Sequence, residues 1–141
     1  MEGLNPSINF KKPLTFPALM EEKEKKILKL KLGLAIVKIL AENLAIAKAN
    51  KEKGTRDHRL VSSLRKLAAA SGIDYGTIQK ISKGLISPEF VNVIVIIESL
   101  DKNLSQFSKY YDSISDRDIL DFQLLNTKSK ARTEIKKSKK K

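Results

Sequence analysis

The chain has 141 residues, 28 Lys and Arg against 16 Asp and Glu, a net charge of +12 and no cysteine. Its length allows one domain with appended chain. The lack of cysteine excludes a disulfide scaffold, a thiol nucleophile and thiolate metal sites. The single histidine leaves little for a His-based metal centre, and the positive balance points to a polyanion, either nucleic acid or an anionic membrane surface.

The charge is unevenly placed. Residues 126–141 hold eight bases against Glu134, and Thr55 to Leu85 holds six bases against Asp57 and Asp74. Glu98 to Asp121 holds six acids against three bases. The first 20 residues carry Pro6, Pro13 and Pro17 and read as an arm. No basic-then-apolar leader opens the chain. The most apolar stretch, Leu32 to Ala49, is broken by Lys38, Glu42, Asn43 and Lys48, short of a membrane span. A soluble, cytoplasmic chain is expected.

From Glu21 the acids precede the bases, as a helix start favours. Leu32, Ile36, Leu40, Leu44 and Ala47 recur at helical spacing, with Ala35, Ile39 and Ile46 widening the stripe. A helix, or two in near continuation through Gly33, is expected to about Lys53, with Gly54 as its stop. The alternation from Leu28 to Leu32 also fits a short strand. A second helix should open near Ser62 or Ser63 and end at Gly72. A third, Tyr75 to Lys83, is capped by Asp74 and stopped by Gly84. Ser87-Pro88-Glu89 is a helix start, with serine as cap and proline at the first position. The run Phe90 to Ile97 is β-branched enough for a strand, but Phe90, Val93, Ile94, Ile97 and Leu100 have helical spacing. Further helices are expected at Leu104–Tyr111 and about Asp116–Leu125, and the Lys-rich tail 126–141 is expected to be disordered.

The informative segment is Leu64 to Lys83. Leu64, Leu67, Ile73, Ile78 and Ile81 make a small shared core, Ala68 is small where a second helix crosses, and Gly72 suits a left-handed turn. This segment, with Ser87-Pro88-Glu89 and Leu100 to Phe107, resembles the Cro and phage-repressor type of helix–turn–helix, also called the xenobiotic-response-element family. The resemblance implies an all-α, lambda-repressor-like bundle of about five short helices spanning residues 40–125. It also implies a Tyr75–Lys83 helix in the major groove of double-stranded DNA, and frequent dimerisation. Residues 21–39 then form an N-terminal helical extension. The loop between Gly54 and Ala68 is longer than the family's.

On the third helix Ile78 and Ile81 define the inward direction, which turns Gly76 and Lys83 outward and sets Gln79 and Lys80 about 130° from the core. Tyr75, Gly76, Thr77, Gln79, Lys80 and Lys83 are the residues expected near base edges. Arg56, Arg59, Ser63, Arg65 and Lys66 are expected on phosphate, setting register without reading sequence. His58 beside Asp57 has no nucleophile elbow, carboxylate pair or phosphate loop to join. No enzyme, metal or cofactor is expected.

The leading expectation is a sequence-specific transcriptional regulator acting as a homodimer, paired through the 21–53 helix or through Val91, Val95 and Ile96. The alternative is a protein-interaction module, such as the antitoxin of a toxin–antitoxin pair, with a protein partner. A third and weaker alternative is anionic-membrane association through the 21–53 helix and the tail, but no membrane partner is expected.

Overall fold

The computed structural model describes residues 22–54 and 60–139, with side chains as far as Thr127. Among these the chain is all-α, with six helices and no strand. They are α1 Glu22–Glu52, α2 Leu64–Ser71, α3 Tyr75–Ser82, α4 Phe90–Ser99, α5 Leu104–Asp112 and α6 Asp116–Lys139. Four short helices thus lie between two long ones. The 1–20 arm and the connector residues Arg56, His58 and Arg59 fall outside the described residues. No helix among the described residues is long and apolar enough to cross a membrane.

Helix α1 is the spine. Glu22 and Glu24 in its first turn and Lys51 in its last complement the helix dipole. It runs unbroken through Leu28–Leu32 and through Gly33, so neither a strand nor a helix break forms there. It buries Leu30, Gly33, Ala35, Ile36, Ile39, Leu40 and Asn43 and packs against α3, α5 and α6. The expected boundary between an extension at 21–39 and a domain from residue 40 is therefore corrected: Leu30, Ala35, Ile36 and Ile39 belong to the common core. Leu44 and Ile46, expected in the stripe, are exposed, because the described partners of α1 cover its earlier turns.

Gly33 has a packing role. A Cβ placed there would stand 2.5 Å from the Ser82 carbonyl oxygen and 2.8 Å from that of Ile81. The C-terminal turn of α3 thus rests directly on the backbone of α1. Asn43, buried on the same helix, donates from Nδ2 to the Val61 carbonyl at 2.8 Å. That bond satisfies a buried amide and fixes the segment leading into α2.

Helix α4 begins at Phe90, with Glu89 as cap and no side-chain cap bond. This corrects the expected start at Ser87 with Pro88 in the first turn: the first helical bond runs from Val93 N–H to the Glu89 carbonyl. Ile96, expected outward, is buried together with Ile97 and Leu100. Both α2 and α5 pack on α4, and two neighbours cover a wider arc than one. Phe90, expected inward, is exposed and edges an open groove with Leu28, Leu32 and Val93.

The expected disordered tail is also corrected, since α6 continues to Lys139. A capping pair starts it, with Ser115 N–H donating to Asp118 Oδ2 at 2.9 Å and Asp118 N–H to Ser115 Oγ at 3.1 Å. No glycine or proline follows within α6, and the segment beyond Asn126 is rich in good helix formers.

Candidate nucleic-acid interface

The α2–α3 unit is built from local chemistry. Ser63 caps α2, its Oγ accepting from Lys66 N–H at 3.2 Å. Gly72 closes the helix at φ +74°, its N–H donating to the Ala68 carbonyl at 2.9 Å. This left-handed position is one that glycine adopts without strain. Ser71 Oγ accepts from Ile73 N–H at 3.2 Å, bracing the turn. Asp74 then caps α3, with Thr77 N–H donating to Oδ2 at 3.2 Å.

Leu67, Ile78 and Ile81 are fully buried, and Leu64, Ala68 and Ile73 are half-buried against them. Because α1 lies beneath α3 through Gly33, the opposite face of α3 is held outward by the spine of the fold.

On that outer side Lys80 and Lys83 are exposed, as are Arg65 and Lys66 of α2. Arg65 stacks on Tyr75, its guanidinium carbon 4.4 Å from the ring centroid. Gln79 Nε2 donates to Tyr75 Oη at 3.2 Å, one turn along α3. Tyr75 is thus half-buried and held between a base from α2 and an amide from α3. Lys66 Nζ donates to Ser62 Oγ at 3.3 Å. Gly76 and Thr77 are half-buried, and a Cβ on Gly76 would stand 3.0 Å from Asp74 Oδ2. None of Arg65, Lys66, Lys80 and Lys83 forms an ion pair among the described residues. From Leu60 to Pro88 these four bases face one acid, Asp74. The structure therefore brings Ser63, Arg65, Lys66, Tyr75, Gln79, Lys80 and Lys83 onto one two-helix unit; Arg56 and Arg59 lie outside the described residues.

Sequence reasoning missed a second polar region, between α1 and α5. There Lys38, Glu42, Lys102, Lys109 and Tyr110 line a recess of about 510 Å³. Tyr110 Oη donates to Glu42 Oε1 at 2.7 Å. That bond to a carboxylate holds the Tyr110 hydroxyl above its ordinary range, with burial and the Glu42 charge acting in the same direction. The two residues are 68 positions apart, and no local motif signals the contact. Among the described residues no three His, Cys, Asp or Glu side chains come together. Comparison of the chain with known protein families, with curated proteins and with solved structures finds no match.

Proposed function

We propose that the chain is a sequence-specific double-stranded DNA-binding protein, a transcriptional regulator that places α3 in the major groove and acts as a homodimer. The observation that carries this reading is the uncompensated positive face of the α2–α3 unit. Arg65, Lys66, Lys80 and Lys83 carry no ion pair among the described residues, while the apolar residues of the same helices are spent on the core. A two-helix unit with four cations that meet no carboxylate among the described residues matches a polyanion of regular shape. In this reading Lys80 donates to guanine and Gln79 pairs with adenine. Arg65, Lys66 and the hydroxyl of Ser63 bond phosphate and fix register. One short helix reads too few bases for useful specificity, which is why two copies on a two-fold site are part of the proposal.

Selection of bound duplexes from a random pool, with the full chain at fixed salt, tests it. The expected result is a recovered motif with two-fold symmetry. Equal affinity for selected and unselected DNA overturns the reading.

One observation favours a second reading, a protein-interaction module of the antitoxin kind. Leu28 and Phe90, which line the α1–α4 groove, are exposed, an open apolar surface that DNA does not require. Co-purification of the native chain with a second polypeptide, without DNA binding, is its signature.

A further inference from the structure

Between α1 and α4 the fold leaves an open groove of about 430 Å³, with Leu28 and Leu32 on one wall and Pro88, Phe90, Val93 and Tyr111 on the other. Leu28 and Phe90 are 47 and 67 % exposed, apolar surface that gains from being covered. The two walls are fixed to each other. A Cβ on Gly84 would stand 2.8 Å from Leu30 Cα, so the loop leading from Gly84 to Pro88 starts against α1. The charges on the rim are Lys25 and Lys29, whose long stems can lift the ammonium into water over an apolar occupant.

We infer that the run Pro13-Leu14-Thr15-Phe16-Pro17-Ala18-Leu19-Met20 of the same chain folds back along α1 and fills this groove. The run is uncharged and carries four large apolar side chains, Leu14, Phe16, Leu19 and Met20. Only Glu21 separates it from Glu22, where α1 starts, so it is delivered at the groove's own end of α1. Leu28 and Leu32 lie about 9 and 15 Å along the helix from Glu22. Eight extended residues span up to about 26 Å, which leaves length for the reversal. Pro13 and Pro17 fix their own φ and bias Lys12 and Phe16 toward extended backbone, so less freedom is lost on docking. Charge agrees with this occupant. Lys11 and Lys12 stand ahead of the run, and Glu89, set between the lining residues Pro88 and Phe90, meets no base among the described residues.

Tethering favours this occupant over a second copy or another protein. A segment attached so close to its site meets it at an effective concentration of about a millimolar, which a free chain reaches only with a stronger contact. The other groove within reach, between α1 and α6, is walled in part by Asp116, and an uncharged run there would take that short carboxylate out of water without a partner. A groove filled by its own chain is closed to a partner protein until the segment is displaced, so any partner of the antitoxin kind competes with residues 13–20. The inference goes beyond the DNA-binding proposal and stands without it, because every arm of its test omits DNA.

The chain has no cysteine, so Leu28→Cys places a single thiol on the groove wall. In the full chain its reaction with a maleimide should speed up by about tenfold when Phe16→Ser/Leu19→Ser is added, the ratio for a contact of about 0.1 mM dissociation constant at millimolar effective concentration. Phe16→Leu, which stays apolar, should keep the protection, and dilution should not change it. Leu120→Cys, on the α1–α6 groove, should react at one rate with and without the serine pair. Circular dichroism checks that helicity is equal throughout, and Phe90→Cys, on the opposite wall, repeats the measurement if Leu28→Cys lowers it. Equal rates at the groove wall with and without the serine pair overturn the inference. Protection found at position 120 instead overturns it too, as does protection lost on dilution, which gives the groove to the segment of a second copy.

Discussion

Arg65 and Tyr75 are joined across the turn between α2 and α3, the guanidinium lying 4.4 Å from the ring centroid. Gln79 is tied to the same tyrosine through its hydroxyl at 3.2 Å. One aromatic ring therefore orients two of the side chains proposed to meet DNA, and its own role is to position them. Removing the ring in Tyr75→Ala should cost about 0.5–1 kcal/mol of stability, the worth of an exposed cation–π contact. Tyr75→Phe keeps the stacking and loses only the Gln79 bond. Urea midpoints of the two variants check the order: native, then Phe, then Ala. Equal midpoints for Phe and Ala would show that the stacking contributes nothing.

A second prediction concerns the approach of α3 to α1. At Gly33 a methyl group meets two backbone carbonyl oxygens, at 2.5 and 2.8 Å, and neither can move without displacing the end of α3. Gly33→Ala should therefore destabilise by about 1–3 kcal/mol, as overpacking does. Gly76→Ala is the contrast, because its nearest neighbour is the end of a flexible Asp74 side chain at 3.0 Å. Better helix propensity there offsets the crowding, and the net change should stay under about 1 kcal/mol. Denaturant unfolding of both variants tests the pair, and a tolerated Gly33→Ala would contradict the close crossing.

These two sites also mark what is legible in the chain. The α2–α3 unit was readable because its determinants lie within twenty positions or so: Ser63 and Asp74 as caps, Gly72 as the turn, Leu67, Ile78 and Ile81 as the core. Gly33 was visible only as an interruption, since its reason, the carbonyls of Ile81 and Ser82, comes from a distant helix. The Tyr110–Glu42 bond escaped for the same cause. Phe90 and Ile96 lie on the sides of α4 opposite to those their spacing predicts, because periodicity gives a helix its phase, while neighbouring helices decide how wide an arc is covered. Beyond Leu125 the charge density predicts disorder, whereas the absence of any breaker lets the helix continue to Lys139. The positive charge of the tail thereby changes meaning, from a loose polyelectrolyte to one end of a charge-segregated helix.

A pH prediction follows at the start of that helix. Asp118 accepts from the Ser115 backbone N–H and is bonded with the Ser115 side chain, and the Lys38 ammonium lies 3.6 Å away. The Ser115 backbone bond, followed by the Ser115 side chain and then Lys38, holds its carboxyl below the ordinary range, against a small opposing effect of desolvation. A lowered pKa in the folded chain means stability that is present above the unfolded value and lost as pH falls through the folded one. The urea midpoint should therefore drop on acidification through the carboxylate range, and Asp118→Asn should show less of that drop. The carboxyl carbon of Asp118, followed by NMR, should titrate below an unstructured aspartate; a normal midpoint would dismiss the cap as a source of acid sensitivity.

The last prediction separates reading from positioning on the proposed DNA face. Lys80 is exposed on α3, the helix proposed to enter the groove, and its ammonium has no carboxylate partner among the described residues. Lys66 sits on α2, its ammonium bonded to Ser62 Oγ at 3.3 Å, where it can face phosphate from a fixed root. Both substitutions remove one positive charge, so net charge alone predicts equal effects. Direct readout predicts otherwise: Lys80→Ala should lose about 1–3 kcal/mol on the selected site and relax preference at one base position. Lys66→Ala should weaken selected and unselected DNA alike and flatten the salt dependence by about one unit of slope. Fluorescence anisotropy over a salt series, with selected and scrambled duplexes, measures both quantities in one experiment. If Lys80→Ala weakened both duplexes equally, α3 would be a phosphate contact and the reading helix would have to be sought elsewhere; if neither variant changed affinity, the α2–α3 face would not be the docking face.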